Sequence, residues 1–160
     1  MLSISDFFVP RSVRCGLFVG VVSAAFGLVT PPAPAATTTA NVCAMVSGGE
    51  IGALFGKKMQ PKPPEMDLPQ SSGCDWEAAD GKSGFMTVRI IPPRYLPEPK
   101  LGKSFAILDG IGNKANIVED MGGWNVGAIK GAKAVVIHVD GGKSSRSMAV
   151  TMLKKYVQKL

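Results

Sequence analysis

The stretch AKAVVIHV, residues Ala132–Val139, decides the fold. Its β-branched side chains favour a pleated, extended backbone over a helix. Val135, Ile137 and Val139 alternate with Ala134, Val136 and His138, so both faces are apolar apart from one imidazole. A strand apolar on both faces belongs inside a sheet, and this one is expected to be its central strand. WNVGAIK (Trp124–Lys130) precedes it and reads as its hairpin partner across a turn at Gly131.

A second hairpin lies upstream. CDWEAA (Cys74–Ala79) and FMTVRII (Phe85–Ile91) flank DGKSG, whose residues suit a turn. Met86, Val88 and Ile90 form the all-apolar set of the second strand and are its expected core face. Before this hairpin, Ser47 and Glu50 have the spacing of a capping box. Val46 and Ile51 flank it as a hydrophobic staple, and Gly56 can close the short helix that follows. The polar lead-in Thr37–Asn41 reads as frayed, with Cys43 just ahead of the helix.

Residues 57–73 hold several prolines and read as an extended connection with a short edge strand at their start. Residues 92–100 are proline-rich again, and Lys103–Gly110 reads as a turn or two of helix. The final segment is the clearest helix. Ala149, Met152, Leu153, Tyr156, Val157 and Leu160 share one face, Ser144 or Ser145 can cap its start, and Lys154, Lys155 and Lys159 suit its C-terminal dipole. The expected class is α+β: a twisted antiparallel sheet of about five to six strands, a short N-terminal helix and a longer C-terminal helix packed on it, and one disulfide.

The N-terminus sets the compartment. Arg11 and Arg14 precede the uncharged apolar run Gly16–Val29, and Ala33-Pro34-Ala35 offers a small-x-small cleavage pattern. Residues 1–35 therefore read as a cleaved signal peptide and residues 36–160 as a single exported domain, secreted or periplasmic. The apolar run of 14 residues is shorter than the roughly 20 a spanning helix needs, so no stable membrane span is expected after cleavage. Cys15 precedes the apolar run and leaves with the signal. Cys43 and Cys74 remain, an even pair in an oxidising compartment, and are expected to form a disulfide. The net charge of +6 falls by one on cleavage; this modest, scattered excess gives no nucleic-acid signature.

Chemistry-bearing residues are sparse. His138 is the single histidine and the weak catalytic candidate, with Asp140 on the same face of its strand. One histidine and a bonded cysteine pair do not make a zinc site. Glu119-Asp120 lacks a cation-loop signature. DGIGNKA (Asp109–Ala115) has neither a P-loop lysine nor a full dinucleotide fingerprint, so neither cofactor nor metal is expected. Trp124 and Tyr95 are candidate recognition residues. Lys130 and Lys133, with Lys143, are candidates for an anionic ligand at one end of the last hairpin, while Trp76 is expected in the core beside the disulfide.

The order of motifs adds a resemblance. A cysteine before VSGGEIGALFG, then SGCDW, GIGNKA, the hairpin GAIKGAKAVVIHV and a C-terminal helix ending in leucine resembles an uncharacterised family of small exported bacterial two-cysteine domains, common as actinobacterial lipoproteins. The resemblance spans residues 41–160. It implies an α+β sandwich with the Cys43–Cys74 bridge and implies no activity. This chain lacks a lipobox, so membrane tethering is not carried over.

The expected function is an exported, non-enzymatic binding domain of the periplasm, envelope or medium, its partner an envelope protein or anionic surface component. The alternatives are a hydrolase using His138 with a nearby carboxylate, and a small-ligand or lipid carrier with an apolar cavity beneath the C-terminal helix. Function is expected on the loops, residues 57–72 and 92–100.

Overall fold

A computed structural model describes residues 39–65, 70–82, 84–98, 104–120, 122–141 and 146–160. The signal-peptide reading, the caps Ser144 and Ser145, and Lys143 lie outside these residues. Three helices, α1 (Thr39–Met45), α2 (Gly48–Phe55) and α3 (Arg146–Lys159), accompany β1 (Met59–Lys62), β2 (Ser72–Ala78), β3 (Phe85–Ile91), β4 (Ala106–Ile107), β5 (Lys114–Asp120), β6 (Gly123–Lys130) and β7 (Lys133–Asp140). The strands form one sheet in the order β1-β2-β3-β7-β6-β5-β4, every neighbouring pair antiparallel. The stretch AKAVVIHV supplies β7, the middle strand.

Within the described residues the sheet has seven strands rather than five to six. One addition is β4, where a helical turn was expected: Ala106 pairs with Ile117 and Ile107 with Asn116. Four apolar residues in a row there fit a short strand as well as a helix, and the exposed edge of β5 takes them. The N-terminal lead-in also differs. Thr39–Met45 is helical and carries Cys43 within it, because the disulfide and the burial of Val42 and Val46, one turn apart, tie this segment to the core.

Register assigns each side chain to a face. Val88 stands opposite Ile137 and Cys74, and Ile137 opposite Val126, which pairs with Ile117. All these residues are buried in one core cluster with Val42, Ile51, Met152, Leu153 and Tyr156. The three helices therefore cover a single face of the sheet. The Cys43–Cys74 disulfide, with Cα atoms 5.2 Å apart, fastens α1 to β2, and Trp76 lies buried in the same cluster.

Local chemistry supports these elements as the sequence suggests. The Ser47 side chain accepts from the amide of Glu50, whose carboxylate accepts from the amide of Ser47, completing the capping box of α2. Gly56 ends α2 in the left-handed region at φ 68°. Lys155 on α3 reaches Glu50 at 2.7 Å and ties the two helices together at the surface. No helix among the described residues is long and apolar enough to cross a membrane.

Candidate functional site

The other face of the sheet has a different composition. Asp75, Thr87, His138, Asn125 and Val118 form one row across β2, β3, β7, β6 and β5. The next row runs from Gly73 through Arg89, Val136, Gly127 and Asn116. None of the three described α-helices lies here. The chain after β3 folds back instead: a 3-10 turn at Pro93–Tyr95 delivers Leu96 onto the sheet, where it is buried with Ile91 and Ala134 and packs on Ile129 and Val136.

Gly127 makes this seat. A Cβ at Gly127 would stand 2.4 Å from Leu96 Cδ1, so any larger residue would displace the leucine. Asn116, buried at 4 % exposure, fixes the segment by donating from Nδ2 to the Pro97 carbonyl at 2.9 Å. Beside Leu96 and Pro97 a cleft of about 370 Å³ opens over Asn116, Val118, Asn125, Gly127 and Val136, with Glu119 and Asp120 at its margin.

A chain of hydrogen bonds runs along this face. Asn125 Nδ2 donates to Asp120 Oδ2 at 3.2 Å, and Asn125 Oδ1 lies 3.0 Å from His138 Nδ1. An ionised carboxylate can only accept, so the amide of Asn125 faces Asp120 and its oxygen faces the imidazole. That orientation places a proton on Nδ1 of His138. The expected companion Asp140 does share the face of His138, but its Oδ1 accepts from the Gly141 amide. Cross-strand neighbours stand about 5 Å apart, whereas residues two apart along one strand are separated by nearly 7 Å, so Asn125 is the nearer partner.

At the β2–β3 end, Arg89 Nη1 meets Asp75 Oδ1 at 2.5 Å, with side-chain exposures of 16 % and 3 %. The second Asp75 oxygen accepts from the Glu65 amide at 3.1 Å, which holds the proline-rich segment over this part of the sheet.

The recognition candidates do not converge. Trp124 is half-buried and packs against the core cluster on the helix-covered face. Tyr95 is 54 % exposed on the loop side, with the Arg94 guanidinium 4.6 Å over its ring. Lys130 lies at the far end of β6 from Trp124 and donates to the Val157 carbonyl at 2.9 Å, capping the end of α3. Lys133 is exposed opposite it in the hairpin. No group of three or more His, Cys, Asp or Glu that could hold a metal ion occurs among the described residues.

Leu96, Asn116 and Asn125 escaped sequence reasoning, and Asp120 was singled out there only with Glu119 as a carboxylate pair without a cation loop, because their association depends on register and on the return of residues 92–98 over the sheet. Their one local signal was a glycine, Gly127, inside an otherwise good strand, which marks a close approach by another part of the chain. Compared with protein-family models, curated proteins and solved structures, the chain finds no match in any of the three.

Proposed function

We propose that residues 36–160 are an exported, non-enzymatic binding domain of the periplasm, envelope or medium, and that the sheet face opposite the three described α-helices meets the partner. The cleft beside Leu96 and Pro97 carries this reading. It combines an apolar floor with a few fixed polar groups, the usual composition of a recognition site. The signal-like N-terminus and the disulfide Cys43–Cys74 support export, and the order of motifs resembles small exported domains. Of the two loops expected to carry function, residues 92–98 supply one wall of the cleft.

The test is site-specific cross-linking in the exporting cell. A photoreactive residue replacing Pro97, exposed at the cleft rim, should give a discrete adduct, and one replacing Lys154 on the exposed side of α3 should not. The same adducts from both positions, or none from Pro97, would remove the assignment of this face.

A hydrolase reading has one observation in its favour, the imidazole of His138 oriented through Asn125 toward Asp120. It requires hydrolytic turnover by the purified protein that His138→Ala abolishes. The carrier reading gains no comparable support: beneath α3, Ala149, Met152, Leu153 and Tyr156 are each at 0 % exposure within the core cluster.

A further inference from the structure

We propose that the cleft beside Leu96 and Pro97 accepts a small organic cation, an amine carried on a compact apolar body. This inference deepens the binding-domain reading and rests on it. The volume, about 370 Å³, falls in the range of small-molecule sites. Leu96, Val118, Gly127 and Val136 offer the body an apolar bed.

The side-chain oxygens at the cleft are acceptors. Asn116 commits Nδ2 to Pro97, and its Oδ1 lies over Gly127 on the floor, 3.6 Å from where a Cβ would stand. Asp120 receives the Asn125 amide on Oδ2, and its carboxylate keeps further acceptor capacity. The bond from His138 to Asn125 holds that amide in place. A ligand meeting these atoms must donate hydrogen bonds.

Charge selects further. Among the described residues lining the cleft the charged ones are Glu119 and Asp120, in a chain of net charge +6. Asp120 shares the face of Asn116 and Val118 and brings its carboxylate to the cleft, whereas Glu119 pairs with Trp124 on the opposite face and accepts from Ser104. The nearby Lys114, at the start of β5, is engaged by Glu98. A cleft with an acidic margin on a basic protein favours a cation over an anion of the same shape.

A charge series of one shape tests this: benzylamine, benzyl alcohol and phenylacetate, titrated into the protein purified from the exporting cell with its disulfide intact. Amide NMR shifts locate the binding and give its affinity. Benzylamine should move the signals of Asn116, Asn125 and Gly127 and bind at least about fivefold more tightly than phenylacetate. Asp120→Asn, nearly isosteric and exposed, should weaken benzylamine about fivefold and leave benzyl alcohol unchanged.

Equal binding of all three probes in the cleft would overturn the cation inference and leave the binding-domain reading standing. So would an Asp120→Asn variant that binds benzylamine as before. Shifts confined to other surfaces would remove the cleft as a small-molecule site, whereas absence of the Pro97 cross-link is what would remove the assignment of this face to the partner.

Discussion

Replacing Arg89 with methionine removes a guanidinium but keeps much of the stem that packs over Gly73, the position where a Cβ would stand 2.6 Å from Arg89 Cδ. The carboxylate left behind is that of Asp75, 3 % exposed and bonded at 2.5 Å to the lost group. Breaking a buried pair from one side costs about 3–5 kcal/mol, because the surviving charge has neither water nor a counter-ion. The Glu65 amide, 3.1 Å from the other carboxylate oxygen, compensates in part. The expected loss for Arg89→Met is therefore about 3 kcal/mol. Asp75→Asn combined with Arg89→Met removes both charges and keeps an oxygen to accept from Glu65, so the pair should lose only about 1 kcal/mol. The difference of about 2 kcal/mol between the single Arg89→Met variant and the double variant is readable by urea denaturation of the oxidised protein as a change in midpoint at constant slope. An Arg89→Met variant within about 0.5 kcal/mol of the parent would refute the claim that this pair is buried and interdependent.

Other perturbations test separate parts of the fold. The Lys155 ammonium first, and then the backbone and hydroxyl of Ser47, lower the pKa of Glu50 from 4.5 to about 2. The stability from this link should be complete above the unfolded value near 4.5 and lost as pH falls to about 2; carboxyl NMR titration should place Glu50 near 2, and Lys155→Met should raise it. Burial raises the Tyr156 phenol pKa to about 12 against a smaller opposing pull from the Trp76 indole, and among the described residues neither the Tyr156 hydroxyl nor Trp76 Nε1 meets a partner at hydrogen-bonding geometry. Tyr156→Phe should leave stability unchanged or raise it by up to about 1 kcal/mol; a loss larger than that in thermal unfolding would mean that the hydroxyl is bonded. Replacing both Cys43 and Cys74 with alanine opens a loop of sequence separation 31 and should cost about 3–4 kcal/mol in urea denaturation.

Elements with strong local periodicity were legible in the sequence. The two hairpins, the capping box and the apolar face of α3 all depend on residues close together along the chain, and each forms as its pattern suggests. The face of β3 was legible too: Met86, Val88 and Ile90 are its buried set. Elements whose stability comes from tertiary contact were harder to read. α1 is short and polar at its start, and its hold on the core is the bridge to β2. β4 exists because the edge of β5 is there to receive it. The site was least legible of all. His138 and Asp140 are on one face as alternation requires, yet the partner of His138 comes from β6, fixed by a register that no local pattern specifies. Leu96 reaches the sheet only because Gly127, far along the chain, leaves it space.

The central claim, an exported domain stapled by its two remaining cysteines, is tested most directly by the intact mass of the protein recovered from the exporting cell, with and without reduction before thiol labelling. The account predicts a chain beginning near Ala36 that takes no label until reduced and then takes two. An uncleaved chain retaining Cys15, or a mature chain whose Cys43 and Cys74 label without reduction, would contradict it.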